Sequence, residues 1–143
     1  MKKDKKSILK EKLTLTSRWS LKKPLYLGKK DKRYKKHLKQ LKENGFSDAE
    51  TWGLDSVITE FVLPRLKRFR EIHNCYPVNL EGNSEEKWIE ILDKMIFSFE
   101  WSIAEMNLTA EYCKLNQEEI KSNWEKYAEG MKLFSEYFRD LWW

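Results

Sequence analysis

The sequence predicts an all-α protein, a compact helical bundle of three long helices plus a shorter basic N-terminal helix. Three observations lead there. Glycine and proline are scarce, at five and three in 143 residues, while Lys, Glu and Leu abound. Apolar residues recur with a helical period in four separate stretches. Two of those stretches follow an Asn with Glu three positions later, the spacing of a capping box. The expected organisation is a basic, partly mobile or extended segment over residues 1–28 and a single helical domain over residues 29–143.

The first twelve residues, MKKDKKSILKEK, hold few apolar anchors. Leu13, Leu15, Trp19 and Leu21 follow without a sustained period, and Pro24 and Gly28 interrupt the chain. Residues 13–28 therefore read as extended or irregular, with Trp19, Leu25, Tyr26 and Leu27 as anchors to the body. A helix is expected over about 31–44, where Tyr34, Leu38 and Leu41 form one narrow stripe and Gly45 stands where a left-handed residue would end it.

The second helix is expected over about 52–73, or from Leu54 if Gly53 separates a short first turn. Ile58, Phe61, Val62, Leu66, Phe69 and Ile72 mark its apolar side, and Pro64 removes one backbone donor and should bend it. The stretch NCYPVNLEGNS breaks the pattern. A third helix follows over 85–106, with Asn83 or Ser84 as its cap and Trp88, Leu92, Met95, Phe99 and Ile103 as its stripe. Asn116 and Glu119 open a fourth, over 117–141, along Ile120, Trp124, Tyr127, Met131, Phe134, Phe138 and Leu141.

Charge is divided sharply along the chain. Residues 1–45 carry 17 Lys and Arg against 4 Asp and Glu, whereas residues 46–143 carry 11 against 19. A basic arm or lobe on an acidic helical body is the physical picture. Two basic clusters stand out. One comprises Lys29, Lys30, Lys32, Arg33, Lys35, Lys36, Lys39 and Lys42; the other comprises Arg65, Lys67, Arg68 and Arg70. Lysines neutralise phosphates and arginines add bidentate contacts, so both clusters are nucleic-acid candidates. The same residues also suit a solvated surface or pairing with the acidic body.

Enzyme signatures with a linear form are missing: there is no phosphate-binding loop, dinucleotide fingerprint, GxSxG or HExxH. No metal or cofactor is expected. Cys75 and Cys113 lack CxxC spacing and fit a reducing compartment. His37 lies beside a lysine face and His73 at a helix end, both expected in bland roles. Glu60, Asp93 and Glu100 could form a carboxylate cleft only by converging with His or Arg. Pro64, Arg65, Asp93 and Glu100 are structural or cleft candidates, with an Arg65–Glu100 pair the simplest arrangement. No signal architecture or apolar run of spanning length is present, so a membrane is not an expected partner. Seven Trp and the ending Leu141-Trp142-Trp143 leave room for a homo-oligomer.

The segments TWGLDSVITEFVLPRLKRFREIHNCYP, EEKWIEILDKMIFSFEW and GMKLFSEYFRDLW, within residues 52–143, resemble a family of small bacteriophage-encoded helical proteins. Its recurring form is W-x-x-D, F-x-L-P-R-L-x-x-F, then W-x-x-I-L-D-K-M-I-x-x-F-E. Trp52, Asp55, Leu63, Pro64, Arg65, Leu66 and Phe69 match the first block. Trp88, Ile91, Leu92, Asp93, Lys94, Met95, Ile96, Phe99 and Glu100 match the second. The resemblance implies phage or prophage origin and action in the host bacterial cytoplasm or in the virion, and it transfers no catalytic role. The resulting expectation is a non-catalytic phage accessory protein acting on a phage or host protein in regulation, assembly or host takeover. The alternatives are nucleic-acid binding through the basic N-terminal region and a phage enzyme with a carboxylate cleft.

Overall fold

The protein is described by a computed structural model over residues 29–142, so the expectations for residues 1–28 and for Trp143 lie outside the described residues. All regular structure among the described residues is helical. The α-helices are α1 (Tyr34–Asn44), α2 (Asp48–Trp52), α3 (Leu54–Ile72), α4 (Ser84–Met106), α5 (Ala110–Cys113) and α6 (Gln117–Glu136), followed by a 3-10 turn at Phe138–Asp140. No helix among them is long and apolar enough to cross a membrane. The chain divides into two compact units at Val57/Ile58.

In the first unit, α1 buries His37 and Leu41 and ends as expected at Gly45, whose φ of 84° is left-handed and whose N–H donates to the Leu41 carbonyl at 3.0 Å. His37, which the sequence sets beside a lysine face, turns to the packing side of α1 instead. It is buried, and its Nδ1 accepts from the Ala49 N–H at 3.3 Å, which satisfies a free donor in the first turn of α2. That five-residue helix was missed. Its signal was Ser47 with Glu50 three positions on, and the Glu50 carboxylate accepts from the Ser47 N–H at 2.8 Å. Gly53 closes α2 and separates it from α3.

Helix α3, which belongs to the second unit from Ile58 on, runs unbroken through Pro64. The proline has no N–H for the Glu60 carbonyl. One residue on, Arg65 Nη1 donates to the Phe61 carbonyl at 2.8 Å. The loop after α3 ends at Gly82, with φ 80°. The expected Asn83 capping box does not form. Asn83 has φ −74° and ψ 82°, short of the extended backbone a cap uses, and the Ser84 hydroxyl donates back to the Leu80 carbonyl at 2.6 Å. At α6 the box is present: the Asn116 side chain accepts from the Glu119 N–H, and the Glu119 side chain accepts from the Asn116 N–H, both at 2.9 Å. Helix α5 was also missed; Thr109 Oγ1 caps it by accepting from the Tyr112 N–H at 3.3 Å.

Pairings set the packing direction. Trp88 meets Tyr137, Lys94 meets Glu129, Ser98 meets Tyr127 and Trp101 meets Trp124, so α4 and α6 are antiparallel. Phe69 meets Trp88, Arg70 meets Asp93 and Lys67 meets Glu100, so α3 and α4 are antiparallel as well. The core comprises Leu66, Trp88, Leu92, Met95, Ile96, Phe99 and Tyr137. At about 25 cal/mol per Å2, each large side chain there contributes roughly 2–3 kcal/mol of burial.

Gly130 makes the α4–α6 crossing tight. It is buried, and a Cβ placed on it would lie 2.1 Å from the Lys94 carbonyl oxygen and from Ser98 Oγ. The same hydroxyl donates across to the Tyr127 carbonyl at 2.9 Å. The far end of α6 differs from expectation. The α-helix stops at Glu136 rather than continuing to 141, and Tyr137 then turns into the core. Phe138, expected on the buried stripe, is 61% exposed because the change to 3-10 winding shifts the register.

Candidate functional site

The C-terminal turn and α3 together frame an apolar groove of about 500 Å3. Val62, Leu66, Phe69 and Ile72 line it from α3, and Phe134, Phe138 and Leu141 line it from the other wall. Phe61, three residues before Pro64, and Phe138 are the exposed rings of its lining, at 37% and 61%. Pro64 itself lines the groove. No backbone bond runs from this position to Glu60, and the pyrrolidine ring offers a rigid apolar surface instead.

The charged lining residues are both cationic, Arg65 and Arg68. The Arg65 guanidinium lies 3.7 Å from the centre of the Phe61 ring and has no carboxylate partner among the described residues. Cation–π contact and the Phe61 carbonyl hold it over the groove, with its remaining donors toward solvent. Arg68 pairs with Glu71 at 2.9 Å, three residues on, with both side chains mostly exposed. The groove can therefore take apolar side chains and offer one open guanidinium beside them.

The rest of the second basic cluster is engaged within the unit. Lys67 pairs with Glu100, and Arg70 holds Asp93 in a two-armed contact whose Nη2–Oδ2 arm is 2.9 Å. Hydrogen bonding to the Asp93 carboxylate raises the Arg70 guanidinium above its ordinary value. The expected Arg65–Glu100 pair is thus replaced by Lys67–Glu100, since Arg65 turns along its own helix to Phe61. On α4, Lys94 bridges Glu129 at 2.9 Å and Glu90 at 3.0 Å, and those bonds raise its ammonium group, that from Glu129 most.

The carboxylate candidates do not share one cleft. Glu100 borders a hollow with Trp101 and Tyr112, while Asp93 borders another with Glu90, Lys94 and Glu129. His73 sits as expected at the end of α3, its Nδ1–H donating to the Arg70 carbonyl at 2.9 Å. Cys75 Sγ contacts the Trp142 carbonyl at 3.5 Å. No group of three or more His, Cys, Asp or Glu among the described residues is arranged to hold a metal ion.

The first basic cluster is on or just before α1. Arg33 pairs with Asp31 at 2.9 Å, Lys36 with Asp48 at 3.4 Å and Lys39 with Glu43 at 3.7 Å. Lys29, Lys30, Lys32, Lys35 and Lys42 are exposed. Sequence reasoning missed the groove itself, whose walls lie about seventy residues apart in the chain. Its one local signal was the cluster of Phe61, Pro64 and Arg65. No family model, curated protein or solved structure matches the chain.

Proposed function

We propose that this chain is a non-catalytic accessory protein of phage origin whose second unit binds a segment of a phage or host protein in its apolar groove. The phage origin rests on the resemblance carried by residues 52–143, and the bacterial cytoplasm or the particle is the corresponding place of action. The groove is the observation that carries the binding role. Phe61 and Phe138 expose aromatic surface in its lining, and large exposed rings of this kind serve as contact residues at protein interfaces. The partner chemistry it fits is a short helix or extended segment with one or two apolar anchors and a carboxylate placed to meet Arg65.

A peptide-display selection on the full chain tests this reading. Selected peptides should carry apolar anchors with a neighbouring acid, and they should bind Phe61→Asp and Phe138→Asp variants at least tenfold more weakly. Each lost anchor corresponds to about 1–2 kcal/mol or more of interface energy. Failure to select any peptide, or peptides that bind the variants as well as the parent, would reject the groove as the site. Self-binding, seen as dimer in sedimentation that Phe138→Asp abolishes, would replace the foreign partner with a second copy of the chain.

A further inference from the structure

The side of α1 opposite its packing face is made of lysine with a single acid, Glu43. At 3.6 residues per turn, Tyr34, His37, Leu38 and Leu41 fall on one side of the helix; with Gln40, which bonds to Asp48, they are its buried and half-buried residues. Lys35, Lys39 and Lys42 follow one another at i, i+4 and i+7 on the other side, with Lys36 beside them, and all four are exposed. Lys35 and Lys42 have no carboxylate partner among the described residues. Lys39 meets Glu43 only at 3.7 Å, with 73% and 58% of the two side chains exposed, a geometry worth little in water. Residues 29–45 contain eight basic residues against two acidic ones, Asp31 and Glu43.

We infer that this lysine row is a binding site for the phosphodiester backbone of nucleic acid, separate from the groove of the second unit. From Lys35 to Lys42 the helix rises about 10 Å, over which one strand of a duplex presents roughly three phosphates. The row therefore matches a regular line of negative charge. Protein interfaces are depleted of lysine and built on aromatic or arginine anchors, and this face offers neither. Lysine also lacks the planar fork that reads base edges, so recognition through this row is independent of sequence. The packing residues His37 and Leu41 stay on the far side, so binding requires no rearrangement of α1.

The test is a titration of the full chain against a labelled duplex of about 20 base pairs across roughly 50–200 mM salt, read by fluorescence anisotropy. Wild type is compared with a Lys35→Ala, Lys39→Ala, Lys42→Ala triple variant. A Lys114→Ala, Lys121→Ala, Lys132→Ala triple variant, which changes net charge equally, is the control. Three lost phosphate contacts should make the slope of log K against log salt shallower by about 2.7. That difference equals roughly 40-fold of salt-dependent affinity across this fourfold range. The control should keep the wild-type slope, as should Lys→Arg at positions 35, 39 and 42. The alanines fall at exposed helix positions, where they favour the helix, so unchanged far-ultraviolet circular dichroism is expected. Absence of binding at the lowest salt, or one common slope for all the proteins, overturns the inference. Polyglutamate competing as well as duplex at equal charge also overturns it, by reassigning the row to an acidic protein surface.

Discussion

Replacing Gly130 by alanine puts two opposed effects on one methyl group. In an open helix the change is favourable by about 1 kcal/mol, because glycine is the poorer helix former. Here the new Cβ would sit 2.1 Å from the Lys94 carbonyl oxygen and 2.8 Å from its carbon. A carbon and a carbonyl oxygen settle at about 3.3–3.6 Å, so α4 and α6 must part by roughly 1 Å. Ser98 can turn its hydroxyl aside, but the Lys94 backbone cannot move without its helix. Parting the helices also stretches the Ser98–Tyr127 hydrogen bond and loosens the packing of Phe99 against Phe134, whose ring centres are 5.1 Å apart. Overpacking of about 1–3 kcal/mol plus a weakened hydrogen bond of about 1 kcal/mol exceeds the propensity gain. A net loss of about 2 kcal/mol should lower Tm by on the order of 5–10 °C. Thermal and urea unfolding of wild type and Gly130→Ala measure it. A variant as stable as wild type, or more stable, would refute the close crossing, since propensity would then act alone.

Three further outcomes follow from the geometry. A double-mutant cycle over Arg70→Ala and Asp93→Ala should give a coupling of about 0.5–1 kcal/mol, because the pair is two-armed but half exposed; a coupling of zero would remove it as a clamp between α3 and α4. The Asp31 carboxyl should titrate at about 2, well below 3.8, because the Arg33 guanidinium and N–H donate to it. A depressed folded pKa means this contribution is complete above about 4 and lost as pH falls through about 2, and carboxyl-carbon NMR with a midpoint near 3.8 would contradict it. Leu108 has φ 45° in the turn after α4. Leu108→Gly should therefore gain up to about 1 kcal/mol, relief of the left-handed strain outweighing the extra freedom of the unfolded chain; a loss in urea unfolding would show that the leucine side chain matters more.

The long helices were legible because each carries a sustained apolar stripe, buried along most of α4 and only in part along α3 and α6, where Ile58, Phe61 and Trp124 stay exposed. Leu66, Phe69, Trp88, Leu92, Met95 and Phe99 all pack in or against the core as their spacing required. Short helices have no room for a period, so α2 and α5 were visible only through Ser47–Glu50 and Thr109, local caps that do not announce themselves among many Ser, Thr and Glu residues. The opposite error arose at Asn83, where the spacing was right but the backbone before α4 is set by Gly82 and the Ser84 hydroxyl. Pair identities were illegible for another reason. Arg65, Lys67 and Arg70 differ only in which side of one helix they leave, and Pro64 with the Phe61 ring decides where Arg65 turns. Gly130, within the stripe from Tyr127 to Phe134, reads in the sequence only as a weak helix former, and its close approach to Lys94 is seen only once α4 is packed against it. The groove depends on where α6 stops, which apolar spacing through Leu141 concealed.

Methyl-labelled NMR of the full chain with a selected peptide addresses the groove most directly. Shifts should concentrate on Val62, Leu66, Ile72 and Leu141, and Arg65→Ala should weaken binding of an acid-bearing peptide while sparing its neutral analogue. Shifts centred instead on Ile103 and Leu115, beside the Trp101 hollow, or on Ile120 of α6, would contradict the assignment of the groove as the binding site.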